Sequence, residues 1–241
     1  MALNIYQIQP RLVFSVSGKV YKFFNDVNEC KSEFESIMSS PMNSTLDPES
    51  EYRMSLVEII SSREDYYVMK FAEGDILTSS NDYNGYYLAG RWLRTFHKSS
   101  KNIADGGIFL FGDYVASHLY INNAHKEVTL IDPGKDFGRI GKIEEDVARF
   151  IVGLFHTKDF NFAKLIKRLS KFLKGYGIDA LDYHLLNSFV KYRILRSYEK
   201  STTLNINIGV KSIFIAFVWR TIENLKHTII KNKLRKILNG N

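Results

Sequence analysis

A chain of 241 residues, of which 45% are hydrophobic and 14% aromatic, is long enough to bury a substantial core, either in one large domain or in two lobes that share a cleft. Its single cysteine, Cys30, excludes an internal disulfide and a cysteine-based zinc site. The net charge of +7 predicts attraction to phosphate, but it does not choose among nucleic acid, anionic lipid and a soluble substrate.

The sequence favours a protein of the reducing cytoplasm. Its first residues lack the basic cap and the unbroken apolar core of a secretion signal. No stretch approaches the roughly 18–20 apolar residues that span a bilayer. We therefore expect a cytoplasmic protein.

The first part of the chain, residues 1–72, is predicted to form a small sheet with one helix. Residues 12–24 predict a hairpin with a Ser-Gly turn, because glycine supplies the positive φ that a two-residue turn needs. A helix with Asp26 or Asn28 as its N-cap follows, since apolar residues recur there at three- and four-residue steps. Residues 55–71 predict a second hairpin.

The second part, residues 73–241, is predicted to be mostly helical around one β-hairpin. Two aspartates, Asp113 and Asp132, flank that hairpin. Amphipathic patterns predict helices over residues 86–100, 143–155 and 161–177, and at about 180–200 and 210–238. The chain is therefore predicted to be an α+β protein with a β-rich first part and a helical second part.

Six short stretches lie at the junctions between these elements. They are VYK at residues 20–22, MKFAEGDIL at 69–77, LAGRWLRTFHK at 88–98, FGDYVASH at 111–118, LIDPG at 130–134 and GKIEEDVARF at 141–150. In this order they resemble motifs of the aminoglycoside phosphotransferase-like and lipopolysaccharide kinase branch of the protein kinase-like superfamily, over residues 11–200. The resemblance implies a bilobal protein kinase-like fold with a small β-rich N-lobe and a mostly helical C-lobe.

The resemblance also implies a site for ATP and Mg²⁺. Lys22 matches the strand lysine that contacts the α- and β-phosphates, and Glu33 is its implied partner, with Glu35 as the second choice. Backbone groups from Met69 to Phe71 are implied to meet the adenine at the hinge between the lobes.

The two aspartates receive separate roles from the same resemblance. Asp113 is implied to orient the acceptor hydroxyl or accept its proton, and Asp132 to hold Mg²⁺ against the β- and γ-phosphates. Asp146 matches an aspartate that braces the catalytic loop, and His97 is expected to brace the same loop from the end of its helix. Phosphoryl transfer needs such positioning and charge neutralisation more than covalent chemistry.

The sequence departs from the family's pattern at three points. His118 stands where the family has asparagine; imidazole is a poor ligand for Mg²⁺ but an acceptable one for Mn²⁺, so His118 is either a metal ligand or a hydrogen-bonded structural residue. Phe111 replaces a histidine, which removes a polar brace from the loop. Gly18 is the only glycine before the hinge, so no glycine-rich loop covers the phosphates, and residues 6–11 are the candidate for a shortened cover.

These features predict an ATP-dependent phosphotransferase, a kinase that acts on a hydroxyl of a sugar or of a lipid-linked glycan such as a lipopolysaccharide core sugar. The alternative is a pseudokinase, a binding module without efficient phosphoryl transfer, which the three departures favour. A protein kinase is disfavoured because the short segment from Asp132 to Asp146 leaves little room for a peptide-docking activation segment.

Two stretches of the sequence are basic and amphipathic, residues 161–177 and 211–241. They indicate which partners the protein could bind. The first is predicted to set five basic side chains opposite its apolar face: Lys164, Lys167, Arg168, Lys171 and Lys174. Such helices suit packing in a helical lobe first, and peripheral attachment to the inner face of an anionic membrane second. No nucleic-acid-binding module is recognisable, so no nucleic acid partner is expected.

Overall fold

The chain has mixed α+β content, with most strands before residue 72 and most helices after it. The computed structural model describes residues 3–7, 12–78, 82–100, 108–133, 136–154 and 161–204, together with residue 232. The described strands are β1 (Leu3–Gln7), β2 (Val13–Val16), β3 (Lys19–Phe23), β4 (Ser44–Leu46), β5 (Arg53–Leu56), β6 (Ile59–Ser62), β7 (Tyr66–Lys70), β8 (Asp75–Ile76), β9 (Ile108–Phe109), β10 (Leu119–Asn122), β11 (Glu127–Leu130) and β12 (Ile140–Gly141). The described helices are α1 (Val27–Met38), α2 (Tyr83–Ser100), α3 (Ile143–Gly153), α4 (Phe162–Tyr176) and α5 (Tyr183–Leu204).

The N-terminal sheet has five antiparallel strands in the order β1-β2-β3-β7-β6. The predicted first hairpin is confirmed, because Ser17 and Gly18 have φ values of 52° and 72°, as a two-residue turn between right-twisted strands requires. Helix α1 packs against β7 and is capped by Asp26, whose side chain accepts a hydrogen bond from the Asn28 N–H at 2.8 Å. Of the two predicted caps, the chain therefore uses Asp26.

A second five-stranded sheet, in the order β4-β5-β11-β10-β8, joins the two parts of the chain. The predicted second hairpin is confirmed, because β6 and β7 pair in antiparallel fashion on either side of residues 63–65. Only the start of its first strand differs, since residues 53–56 form β5 of the second sheet. The Val57 N–H still bonds to Leu130 O of the second sheet, whereas Glu58 O accepts from the Lys70 N–H of the first sheet, both at 2.9 Å. One strand cannot pair along its length with two separate sheets, so the chain changes sheet between Val57 and Glu58. Segments from both sides of residue 72 thus contribute to the second sheet.

The helical part is built from two close helix pairs, α2 with α4 and α3 with α5. Two glycines allow the first pair to cross closely. A Cβ at Gly90 would lie 2.1 Å from Phe172 O, and a Cβ at Gly175 would lie 2.0 Å from Tyr87 O. A larger residue fits at neither glycine without moving a helix backbone.

The charged face predicted for α4 is partly wrong, because two of its cations pack against α2. Arg168 is buried, and its guanidinium lies 5.2 Å from the Tyr86 ring. Lys167 Nζ lies 4.1 Å from the Tyr83 ring. Cation–π contacts of this kind stabilise the helix pair. For α4, packing within the helical lobe is therefore the better supported of the two interpretations.

Among the described residues, no helix combines the length and the apolar composition that crossing a membrane requires. The predicted helix over 210–238 and the basic stretch over 211–241 lie outside the described residues, apart from residue 232. Residues 8–11 of the candidate phosphate cover lie outside them as well.

Candidate active site

A cavity of about 520 Å³ opens between the first sheet and the β10–β11 hairpin. Its volume is typical of pockets for small molecules and cofactors. The cavity is lined by five of the predicted site residues: Lys22, Met69, Phe71, His118 and Asp132. The other two, Glu33 and Asp113, contact residues of this lining. The structure therefore brings all the predicted site residues to one cleft.

A second cavity, of about 570 Å³, lies on the other side of the hinge, between the end of α1 and the β5–β11 strand pair. Its lining mixes charges of both signs, including Arg53, Glu58 and Glu127. Neither of the two aspartates that flank the hairpin lines it, whereas Asp132 lines the cavity of about 520 Å³. We therefore place the candidate active site in the cavity of about 520 Å³.

Lys22 is buried at the centre of a network of polar contacts. Its Nζ donates to Glu33 Oε1 at 2.6 Å and to Asp132 Oδ1 at 2.5 Å. Glu33 also accepts from the Tyr67 hydroxyl at 2.6 Å. Glu35, the second choice from the sequence, is exposed on α1, whereas Glu33 lies on the buried face of that helix. The helix thus presents Glu33, and not Glu35, to Lys22.

The hinge offers an open backbone donor one position beyond the predicted range. Met69 and Phe71 line the cavity, but the Phe71 N–H donates to Gly18 O at 3.0 Å and is not open to adenine. Ala72 also lines the cavity, and within the described residues its N–H has no hydrogen-bond partner. Sequence reasoning missed Ala72, because the pairing of Phe71 with Gly18 depends on the folded sheet.

The loop that precedes β10 is held by buried polar contacts. The Asp146 carboxylate accepts from the Phe111 N–H at 2.6 Å and from the Gly112 N–H at 2.9 Å. His97 Nε2 lies 3.1 Å from the same carboxylate, and His97 Nδ1 lies 2.9 Å from the Tyr176 hydroxyl. The bracing roles predicted for Asp146 and His97 are confirmed.

The chemistry of each group determines which atom carries the proton in each of these contacts. A carboxylate only accepts, so His97 Nε2 donates to Asp146. Burial, followed by the charges of Glu144 and Asp146, raises the pKa of Tyr176 above its ordinary value. The Tyr176 hydroxyl therefore keeps its proton and donates it to His97 Nδ1. These contacts fix the orientation of the imidazole beneath the loop.

Phe111 braces the loop by packing, where the family pattern has a polar contact. Its ring is fully buried. Its centroid lies 5.3–5.9 Å from those of four other rings, in edge-on arrangements: Trp92, Phe96, Tyr114 and Phe137. Edge-on aromatic pairs are favourable beyond the area they bury. An aromatic cluster therefore holds this position of the loop.

Asp113 faces Arg149, an arginine to which the sequence motifs assign no role. Arg149 Nη2 lies 2.6 Å from Asp113 Oδ1, and Arg149 Nη1 lies 4.0 Å from Asp136 Oδ2. Arg149 follows Asp146 by three residues on α3, so one face of this helix both braces the loop and contacts its carboxylate. That spacing was a signal in the sequence. Asp113 Oδ2 has no contact within the described part of the chain and is open to a ligand.

His118 connects the two aspartates that flank the hairpin. Its Nδ1 lies 3.2 Å from the backbone oxygen of Asp113, and its Nε2 lies 3.8 Å from Asp132 Oδ2. A carbonyl oxygen only accepts, so Nδ1 carries the proton and Nε2 presents a lone pair toward Asp132 when the ring is neutral.

The chemistry of His118 and Asp132 fits a divalent ion that is bound together with a nucleotide. In the part of the chain that the structure describes, no group of three or more His, Cys, Asp or Glu residues could hold an ion alone. One or two protein ligands suffice where phosphate oxygens and water complete the coordination. Asp132 has a φ of 51°, a left-handed value that is uncommon outside glycine and is concentrated at functional sites. The ring nitrogen favours Mn²⁺ relative to an all-oxygen site.

Comparison with known proteins yields structural neighbours. No protein-family model and no curated protein matches the chain. An amicoumacin kinase in complex with AMP-PNP and Ca²⁺ is 11% identical, with 93% of this chain and 88% of that chain covered and a TM-score of 0.63. A GDP complex of aminoglycoside 2′-phosphotransferase-IIIa is 12% identical, with 94% and 93% covered and a TM-score of 0.61. A spectinomycin phosphotransferase bound to ADP and spectinomycin is 12% identical, with 96% and 93% covered and a TM-score of 0.54. At these identities the likeness is one of fold, and it confirms the predicted bilobal architecture.

Proposed function

We propose that this chain, which has the protein kinase-like fold of the aminoglycoside phosphotransferases, is an ATP-dependent kinase that phosphorylates a hydroxyl of a sugar-type acceptor. The observation that carries the proposal is the position of Lys22, whose Nζ contacts Glu33 at 2.6 Å and Asp132 at 2.5 Å. A lysine held between a helix glutamate and the aspartate after a hairpin is the arrangement that kinase-like phosphotransferases use to position nucleotide phosphates.

The nucleotide occupies the cavity of about 520 Å³ in this proposal. The Ala72 N–H is the donor for the adenine, and Lys22 is the cation for the phosphates. Glu33 keeps Lys22 oriented. Asp132 and His118 hold the divalent ion, which neutralises phosphate charge when bound.

Asp113 acts on the acceptor in this proposal. Its Oδ1 is held by Arg149 at 2.6 Å, and its Oδ2 accepts the proton of the acceptor hydroxyl as the hydroxyl oxygen attacks the γ-phosphorus. The bond from the γ-phosphorus to the β–γ bridging oxygen breaks in the same step, and ADP leaves with its electrons. The contact of His118 with the Asp113 backbone oxygen, at 3.2 Å, and the hold of Asp146 on the loop keep this carboxylate in place. Positioning of this kind supplies much of the acceleration in phosphoryl transfer.

The acceptor in this proposal is a small molecule with a sugar-type hydroxyl. The named structural neighbours support it, since they are kinases or phosphotransferases of amicoumacin, aminoglycosides and spectinomycin. A lipid-linked glycan, such as a lipopolysaccharide core sugar, is a finer form of the same proposal. Peripheral membrane attachment of a cytoplasmic enzyme would rest on residues 211–241, which lie outside the described residues apart from residue 232.

The second candidate is a pseudokinase that binds without transferring phosphate. The ion pair between Arg149 and Asp113 favours it, because one oxygen of the proposed catalytic carboxylate is already engaged. Phe111 and His118, which stand where the family has histidine and asparagine, also favour the pseudokinase.

Transfer of the γ-phosphate separates the two candidates. The protein is incubated with radiolabelled ATP, Mg²⁺ or Mn²⁺, and a panel of sugars and glycolipids. We expect Asp113→Asn to lower transfer about 10²- to 10⁴-fold, as loss of a general base does, while calorimetry still detects ATP binding. Asp65→Asn, the same change at an exposed turn residue, is the matched control.

Transfer by Asp113→Asn at the wild-type rate would show that the catalytic assignment is wrong. Nucleotide binding by the wild type without transfer to any acceptor, or to water, would favour the pseudokinase.

A further inference from the structure

The acceptor side of Asp113 carries two arginines on adjacent helices. Arg149 lies on α3 and Arg193 on α5, and these helices pack together. Arg193 is half-buried and is followed by Ile194, which is buried in the core along with Val190 one turn earlier. The charge of Arg149 acts on Arg193, so the Arg193 side chain lies within electrostatic reach of α3. Because Arg149 also contacts Asp113 at 2.6 Å, both guanidinium groups belong to the side of the cleft that Asp113 occupies.

Arg193 has no acidic hydrogen-bond or ion-pair partner among the described residues. Within the described ranges, no hydrogen bond or ion pair engages its side chain. The acids around it are engaged elsewhere: Asp146 holds the loop N–H groups, Glu145 pairs with Arg139, and Asp113 and Asp136 face Arg149. A partly buried guanidinium in this state is short of the hydrogen bonds that it can donate.

The positive charge of Arg149 also acts on Arg193. Burial, followed by this charge, lowers the pKa of Arg193 from its ordinary value. The charges of Asp146, Glu145 and Asp136 oppose the shift without cancelling it. Arginine nevertheless stays protonated at neutral pH, so the repulsion between the two guanidinium groups persists. An anion that both groups bind would relieve this repulsion and satisfy the unused donors.

Arg149 retains donors for such an anion while it holds Asp113. Its Nη2 contacts Asp113 at 2.6 Å, but its Nη1 lies 4.0 Å from Asp136, which is beyond hydrogen-bonding distance. Phosphate and carboxylate groups match the planar fork of a guanidinium.

We propose that Arg193, together with Arg149, binds an anionic group of the acceptor, so that the substrate is a sugar that already carries a phosphate or a carboxylate. The inference rests on the proposed kinase function, because it brings the anion next to the hydroxyl that Asp113 engages. The same two charges repel an amine-rich acceptor. Arg193 is thus a specificity residue that contacts the substrate away from the reacting hydroxyl.

Four probes that share one ring and differ in charge test this proposal: glucose, glucosamine, glucuronate and glucose 6-phosphate. Each is titrated by calorimetry into the full chain, first without nucleotide and then with saturating AMP-PNP and Mn²⁺. We expect at least one of the two anionic sugars to bind about tenfold or more tightly than glucose, and glucosamine to bind no better than glucose. The ratio of the dissociation constants of glucuronate and glucose 6-phosphate tells whether the site prefers carboxylate or phosphate.

Variants on the same helix assign the effect to one side chain. Arg193→Gln is expected to weaken binding of the preferred anionic sugar about tenfold or more. Arg193→Lys, which keeps the charge, recovers part of the affinity and serves as the readout if the glutamine variant does not fold. Lys191→Gln, which removes a charge from an exposed position two residues away, keeps the wild-type preference.

Three results would overturn the inference: no binding of either anionic sugar, equal binding of glucose, or an anion preference that survives both Arg193 substitutions. Sedimentation with phosphatidylglycerol vesicles is measured in parallel. If the vesicles bind through Arg193 and the soluble anionic sugars do not bind, the arginines recognise a lipid headgroup and the inference is wrong. Failure of the proposed kinase function is seen separately, as absence of AMP-PNP binding, while the titrations without nucleotide still report on the arginines.

Discussion

The two sides of the cleft hold their carboxylates in different ways. On the strand side, Lys22 is buried and shared between Glu33 and Asp132, so that every charge has a partner. On the helix side, Arg149 is partly exposed and pairs with Asp113, while its neighbour Arg193 has no acidic partner within the described residues. A network in which every charge is paired suits a nucleotide, because its phosphates are the same in every reaction cycle. The positive charge of Arg193, unpaired among the residues described, suits an acceptor that brings its own anionic group.

The largest loss of stability is expected where the helix side depends on packing. Phe111→Ala removes the ring at the centre of an aromatic cluster, and truncation of a buried phenylalanine costs about 3–5 kcal/mol of unfolding free energy. Chemical denaturation measures this loss. Phe111→Leu, which keeps most of the volume, is the control and should lose much less. Equal loss from both variants would mean that the edge-on ring contacts, and not the filled volume, hold the loop.

A slightly smaller loss is expected on the strand side. Lys22→Met leaves Glu33 buried without its cation, which costs about 3 kcal/mol of unfolding free energy. Adding Glu33→Gln to the same chain removes the uncompensated charge and should recover part of that stability. Denaturant titrations of the two variants and of Lys19→Met, an exposed lysine on the same strand, give the comparison. A loss no greater than that of Lys19→Met would contradict a closed network around Lys22.

The strand side followed from the sequence because its residues lie in local patterns. The Ser-Gly turn, the apolar spacing of α1 and the aspartates flanking a hairpin are each visible within a short window. The pairing of Glu33 with Lys22 and the bracing by Asp146 were predicted from the resemblance instead. The Asp146 contacts join residues that are 34 and 35 positions apart, so no short window shows them.

The helix side and the hinge could not be predicted to the same depth. Ala72 becomes the open donor only because the Phe71 N–H is paired with Gly18, a contact between strands. Arg193 acquires its role from α3, which lies far from it in sequence, and no periodicity in α5 sets it apart. The change of sheet after Val57 likewise depends on a parallel pairing with β11. Tertiary pairing, not local preference, decides all three.

The smallest effect is expected at the residue that connects the two sides. His118→Asn replaces the ring nitrogen 3.8 Å from Asp132 with an amide, which should shift the metal preference toward Mg²⁺ by about tenfold or less. Calorimetric titration of ATP in the presence of Mn²⁺ and of Mg²⁺ gives the ratio of affinities for each chain. An unchanged ratio would assign His118 to its hydrogen bond with Asp113 alone.

Metal-dependent nucleotide binding tests the central claim most directly. ATP is titrated by calorimetry into the wild type and into Asp132→Ala, with Mg²⁺, with Mn²⁺ and with a chelator. The kinase account predicts that the wild type binds ATP only with a divalent ion, and that Asp132→Ala loses this binding. Absence of binding under every condition, or binding that neither the chelator nor the loss of Asp132 weakens, would contradict it.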